Sequence, residues 1–210
     1  MSKIALVLSG GGFQGAFQIG AFRVLKEHWS SLNTPNEPLN FDIVSGVSVG
    51  ALNGLLIALN KFDDLEAIWQ SIAKNGVTEI YRSNIIDTNF ATDTDNPELK
   101  YQVNWQTLRT LFPRTTHNLM IKGVISRKSI FRSFKEEFQN LKAIADNTPL
   151  YELLKKYARK ENLEECKYKC GFVSLNDGKY YSVNACDFDT DEDFAKGVLA
   201  STTMPIIWPP

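Results

Sequence analysis

A mixed α/β fold built on a mostly parallel sheet is predicted by three stretches near the start of this chain. Lys3 to Leu8 is a short continuous apolar run with β-branched members, the pattern of a strand buried in a parallel sheet. Phe13 to Trp29 follows as a helix, with Phe17, Ala21, Val24, Leu25 and Trp29 at spacings that share one face. Phe41 to Ser45 is a second strand, and Val49 to Asn60 the helix after it. Strand, helix, strand, helix in this order implies parallel neighbours. The loops at the carboxyl ends of such strands gather in one crevice, where open α/β sheets place their ligands.

The remaining elements follow in order. Ser9-Gly10-Gly11-Gly12 breaks the first strand, and Ser30 to Pro38, with prolines at 35 and 38, is a loop. Asp63 to Ala73 reads as a helix through Leu65, Ile68, Trp69 and Ile72. Arg82 to Lys100 is polar and turn-rich, an exposed excursion rather than core. Trp105 to Phe112 is a short helix ended by Pro113, and Ser129 to Leu141 an amphipathic one with Phe131, Phe134 and Phe138 facing the core. Thr148 caps a helix that runs to Tyr157 with Pro149 in its first position. Lys167 to Leu175 and Lys179 to Ala185 form a β-hairpin turning at Asp177-Gly178, and Phe194 to Ala200 is a short helix.

Size and composition exclude several classes. At 210 residues the chain is expected to be a single domain, 1–210. A net charge of −1 with no basic run provides no electrostatic attraction to nucleic acid, and none is expected as a partner. The apolar run at the N-terminus is too short for a secretory signal, and no segment is long enough to span a bilayer. Three cysteines, Cys166, Cys170 and Cys186, without a C-x-x-C pair, read as buried free thiols in a reducing cytoplasm. No metal site is expected.

The chemistry centres on Gly46-Val47-Ser48-Val49-Gly50. A G-x-S-x-G between a strand and a helix is the setting in which a serine sits on a sharp turn with its hydroxyl exposed. Side chains flanking such a turn would collide, whereas Gly46 and Gly50 let strand and helix approach closely. The glycine loop Gly10-Gly11-Gly12-Phe13-Gln14-Gly15 has two readings. Gly10, Gly12 and Gly15 spell the G-x-G-x-x-G of a dinucleotide-binding oxidoreductase. That fingerprint wants an acidic residue at the end of the second strand, whereas Asp42 lies at its start. As an oxyanion loop, its backbone N–H groups and the helix start behind them suit the negative charge that develops on an attacked ester.

The glycine loop, the serine motif and the stretch Ala200-Ser201-Thr202-Thr203-Met204-Pro205 with Pro209-Pro210 together resemble the patatin-like phospholipase family. The resemblance implies a three-layer α/β fold and hydrolysis of lipid esters by a Ser–Asp dyad without cofactors. It implies Ser48 as nucleophile, Gly10, Gly11 and Gly12 as oxyanion loop and Gly15 as the residue shaping its turn. Gln14 stands where the family often carries Arg or Lys. The family's aspartate lies in a D-G-[GA] sequence after the A-S-x-x-x-P segment, and no such sequence follows here. The catalytic Asp is therefore expected outside this chain, which would be part of a longer protein. Asp177-Gly178 copies the letters but reads as a hairpin turn. His28 and His117, and Asp63, Asp64, Asp87, Asp93 and Asp95, have no positions that suit a triad. The acidic group Asp187, Asp189, Asp191, Glu192 and Asp193 reads as a solvated loop and first helical turn. The expected partners are a lipid or ester substrate and peripheral contact with a membrane surface. A catalytically inactive scaffold on the same fold is the alternative.

Overall fold

The first apolar run becomes the strand Ala5–Leu8 (β1), and its register is set by parallel pairing with Ile43–Val47 (β2), Ala5 opposite Ile43 and Leu8 opposite Gly46. The computed structural model describes residues 3–32, 39–83, 86–90, 99–103, 145–163 and 167–204. Two compact units divide the chain. One comprises Met1–Ala73 with Leu150–Thr203, the other Lys74–Pro149 with Met204–Pro210.

The first unit holds a four-stranded, mostly parallel sheet flanked by helices. Tyr168–Val173 (β5) runs parallel to β2, with Val44 opposite Tyr168, and Tyr180–Asn184 (β6) closes the sheet as its antiparallel neighbour. The spatial order is β1-β2-β5-β6. Three helices connect or cover these strands: Gly15–Leu32 (α1), Val49–Ala58 (α2) and Phe62–Asn75 (α3). Thr148–Tyr157 (α4) and Asp191–Thr202 (α5) complete the helices described, α4 entering the first unit at Leu150. All residues of α2 except Leu52 are buried, which marks it as the core helix rather than an amphipathic one. Val44, Leu55, Tyr168, Phe194 and Val198 are wholly removed from solvent between the sheet, α2 and α5. The Tyr168 ring meets Phe194 edge-on at 5.9 Å, and its buried hydroxyl donates to the Ala51 carbonyl at 2.9 Å. Alternate strand residues point the other way, where Val7 (76%), Val47 (40%) and Val173 (59%) are exposed.

Several boundaries and faces differ from expectation. A short 3-10 turn, Gly12–Gln14, precedes α1 because Gly12 has a positive φ that a regular helix cannot accommodate. On α1, Phe17 and Val24 are exposed, and the inward face instead carries Gly15, Ile19 and Phe22. Phe22 packs against the rings of Phe62 at 4.8 Å and Phe41 at 6.0 Å, so aromatic contacts set the rotation of the helix. α5 begins at Asp191 rather than Phe194, since the Thr190 hydroxyl accepts the Asp193 N–H as an N-cap. Cys170 is buried, but Cys186 is exposed rather than part of the core.

In the second unit the polar stretch after Arg82 is not a simple excursion. Ile86–Phe90 (β3) pairs antiparallel with Leu99–Val103 (β4), Thr88 opposite Tyr101. Arg82 and Asp146 exchange backbone hydrogen bonds of 2.8 and 2.7 Å. The Asp146 carboxylate accepts from both the backbone N–H and the hydroxyl of Thr148, the first residue of the helix Thr148–Tyr157. These bonds hold its carboxyl below the usual carboxylate range. The helices expected over 105–112 and 129–141, with His117, lie outside the described residues, as do Cys166, Asp93, Asp95 and the residues after Met204.

Candidate active site

Ser48 stands at the carboxyl end of β2, where the chain turns directly into α2. Its backbone has φ 57° and ψ −128°, a conformation that costs an L-residue about 1–3 kcal/mol and is kept only where the surroundings enforce it. The Ser48 carbonyl accepts from the Ala51 and Leu52 N–H groups, which starts the helix immediately after the turn. Two neighbours must be glycine for steric reasons. A Cβ on Gly46 would lie 2.6 Å from the Ala51 nitrogen, and one on Gly50 would lie 2.6 Å from the Ser9 carbonyl oxygen.

The second contact joins the serine turn to the glycine loop, which leaves the carboxyl end of the adjacent strand β1. A Cβ placed on Gly10 would sit 3.2 Å from the Ser48 Cβ and 3.9 Å from its Oγ, so the Gly10 backbone borders the hydroxyl. Gly11 and Gly12 follow with φ of 152° and 56°, angles that glycine alone adopts readily. The Gln14 N–H returns to the Gly11 carbonyl at 3.1 Å and closes this turn. Gly15 has ordinary helical angles. Its need for a missing side chain comes from packing, since a Cβ there would be 2.8 Å from the Trp69 ring.

One buried amide ties the loop to the serine helix. Asn53, five positions after Ser48 and 1% exposed, donates to the Gly15 carbonyl at 3.1 Å and to the Gln18 side-chain oxygen at 2.9 Å. Its own oxygen accepts the Trp69 indole N–H at 3.0 Å, and Gln18 donates onward to the Ser9 carbonyl at 2.8 Å. Both ends of the Ser9–Gly15 loop are thus anchored through α2. On the other side of the turn, the Ser48 N–H donates to the Ser201 hydroxyl oxygen at 2.9 Å, and that hydroxyl donates to the Gly171 carbonyl at 2.6 Å. Neither Asn53, Gln18 nor this use of Ser201 was read from the sequence. The Asn53–Gln18 and Ser48–Ser201 hydrogen bonds, which span 35 and 153 positions, leave no local pattern.

The other candidates are accounted for by their own surroundings. Asp177 accepts from the Tyr181 hydroxyl at 2.7 Å and the Lys179 N–H at 3.1 Å, within a hairpin turn where Gly178 has φ 68°. These bonds, the Tyr181 one first, lower its carboxyl below the ordinary range, and the same contact raises the Tyr181 phenol. Asp42 accepts the Ile4 N–H at 2.7 Å. That fixes it at the amino ends of β1 and β2, away from the glycine loop at their carboxyl ends, where a ribose-binding acid would be needed. His28 is exposed on α1 and donates from Nδ1 to the Val24 carbonyl. Asp63 and Asp64 lie in the first turn of α3, and Asp87 in β3. In the acidic segment, Asp191 accepts from the Lys160 N–H and Arg159, which hold its carboxyl down, while the Lys160 ammonium donates to the Phe188 and Asp189 carbonyls. Among the described residues no group of three His, Cys, Asp or Glu side chains could hold a metal ion, and no helix is long and apolar enough to cross a membrane.

Sheet, turn and loop together define an α/β protein that presents a strained serine beside a glycine-rich backbone. The patatin-like phospholipase family model matches residues 6–210, essentially the whole chain, and the chain belongs to that family. Membership points in general terms to hydrolysis of lipid esters. Comparison with curated proteins finds no match.

Proposed function

We propose that the protein is a lipid acyl hydrolase in which Ser48 is the nucleophile and the Gly10–Gly12 backbone stabilises the oxyanion. The observation that carries this reading is the strained Ser48 backbone with Gly10 directly beside its hydroxyl. In the reaction Ser48 Oγ attacks the ester carbonyl while its proton passes to a carboxylate. The developing negative charge is met by backbone N–H groups, worth a few kcal/mol in such a position. The tetrahedral species expels the alcohol, which takes the proton back, and water then releases the fatty acid from the acyl-enzyme. No metal or organic cofactor takes part. The carboxylate in this reading is the aspartate of a D-G-[GA] sequence, a role that Asp177, held in its own hairpin turn, does not fill. Contact with the lipid surface is peripheral.

The test is a fluorophosphonate probe together with phospholipid and p-nitrophenyl ester hydrolysis. A chain extended through a D-G-[GA] sequence is expected to label and turn over, with both activities abolished in Ser48→Ala and unchanged in Asp177→Asn. The 210-residue chain alone should hydrolyse esters only slightly above background. Equal labelling of Ser48→Ala would falsify the nucleophile assignment, and absence of turnover in the extended chain would favour a non-catalytic scaffold.

A further inference from the structure

The Ala200–Pro205 segment has no part in the chemistry above, yet it places one hydroxyl against the nucleophile's own backbone. Ser201 lies in the last turn of α5 and is half-buried. A serine hydroxyl has one proton and two lone pairs. The 2.6 Å contact with the Gly171 carbonyl takes the proton, because a carbonyl can only accept. The oxygen is then an acceptor toward the Ser48 N–H at 2.9 Å. One side chain therefore links three elements: α5 that carries it, β5 through Gly171, and the turn between β2 and α2 through Ser48. The register places Gly171 directly opposite Val47, so the link closes at the level of the turn itself.

We propose that Ser201 is the positioning residue that holds Ser48 in its strained conformation and withholds the Ser48 N–H from the oxyanion. The first part follows from the geometry. At φ 57° and ψ −128° the Ser48 amide would rotate toward a relaxed conformation unless something fixed it. The Ser201 oxygen is the partner that fixes it, and the Gly171 carbonyl orients that oxygen. The second part follows from valence. An N–H donating to Ser201 is not available to a substrate oxygen, so oxyanion stabilisation falls to the glycine loop and the start of α2. The inference rests on Ser48 being the nucleophile, but the hold itself is a property of the folded chain and can be measured without substrate.

The experiment compares wild type, Ser201→Ala and Ser201→Thr by residue-resolved amide hydrogen exchange and by fluorophosphonate labelling and ester kinetics. Threonine retains a hydroxyl on the same carbon and serves as the rescue variant. In Ser201→Ala the Ser48 amide should exchange at least about tenfold faster, while the Ala51 and Leu52 amides, which bond to the Ser48 carbonyl, keep their protection. In the extended chain, kcat and the labelling rate should fall about 10- to 100-fold with KM within about twofold, and Ser201→Thr should recover most of both. Unchanged Ser48 exchange in Ser201→Ala overturns the proposal. Equal acceleration at Ser48, Ala51 and Leu52 also overturns it, since that is loosening of the fold rather than loss of a specific hold. If the wild-type extended chain resists labelling at Ser48, the hydrolase reading falls, and the exchange comparison alone decides the role of Ser201.

Discussion

Ser48 is the residue where sequence and structure meet most closely. The G-x-S-x-G spacing predicts a sharp turn because its constraints are local and steric, and the backbone adopts one. The strain is measurable. Ser48→Gly should be more stable than Ser48→Ala by about 1 kcal/mol in urea or thermal unfolding, since glycine occupies this conformation without penalty. An alanine variant of equal or greater stability would show that the turn is relaxed. Cys170 makes a second prediction. Burial pushes its thiol up from 9.0 to about 11 and also raises the Tyr168 phenol beside it. Both groups are neutral when protonated, and the folded state keeps those protons where the unfolded chain loses them. The thiol's contribution is therefore complete below pH 9 and is lost as pH rises from about 9 toward 11, on the order of 2 to 3 kcal/mol, while that of the Tyr168 phenol is lost only above pH 10. Alkaline denaturation with a midpoint in that window, weakened in Cys170→Ala relative to the variant's own neutral stability, is the expected result.

Among the elements, α2 and the glycine loop act as one body through Asn53. Asn53→Ala would strand the Trp69 N–H, the Gly15 carbonyl and the Gln18 amide, at a cost of about 2 to 4 kcal/mol. Gln18→Ala, at a half-buried site, should cost about 1 kcal/mol, and chemical denaturation of the two variants checks the ratio. The same elements show why some of the structure escaped the sequence. β3 and β4 were hidden by the polar composition of residues 82–100, although Ile86, Thr88 and Phe90 and then Leu99, Tyr101 and Val103 alternate as strands do. The rotation of α1 is not legible in the sequence because Phe17 and Val24 are apolar yet face outward, and the distant rings of Phe41 and Phe62 decide which face turns in. Strand–turn–helix order and hairpin chemistry were legible, because each is governed by a handful of neighbouring residues. Hydrogen bonds such as Asn53 to Gln18 or Ser48 to Ser201 were not, because nothing in either local sequence announces the partner.

For the first unit taken together, the sheet has one covered and one open face, and stability should follow that asymmetry. Val44 is fully buried under α2, so Val44→Ala should cost about 2 kcal/mol, whereas Val7→Thr on the exposed side should stay within about 0.5 kcal/mol. Equal costs measured by denaturation would mean that both faces are packed. The order of the strands has a further effect, which concerns the making of the protein. Ser48 and the hydroxyl that meets its amide are separated by 153 positions. At synthesis rates of roughly 5 to 20 residues per second, roughly 8 to 30 s pass between the appearance of one and the other on the ribosome. Through that interval β2 also waits for β5, its second parallel neighbour, whose first residue is Tyr168. The serine proposed as nucleophile is thus present early in the nascent chain, whereas the hydroxyl that its amide meets arrives only when α5 is laid down.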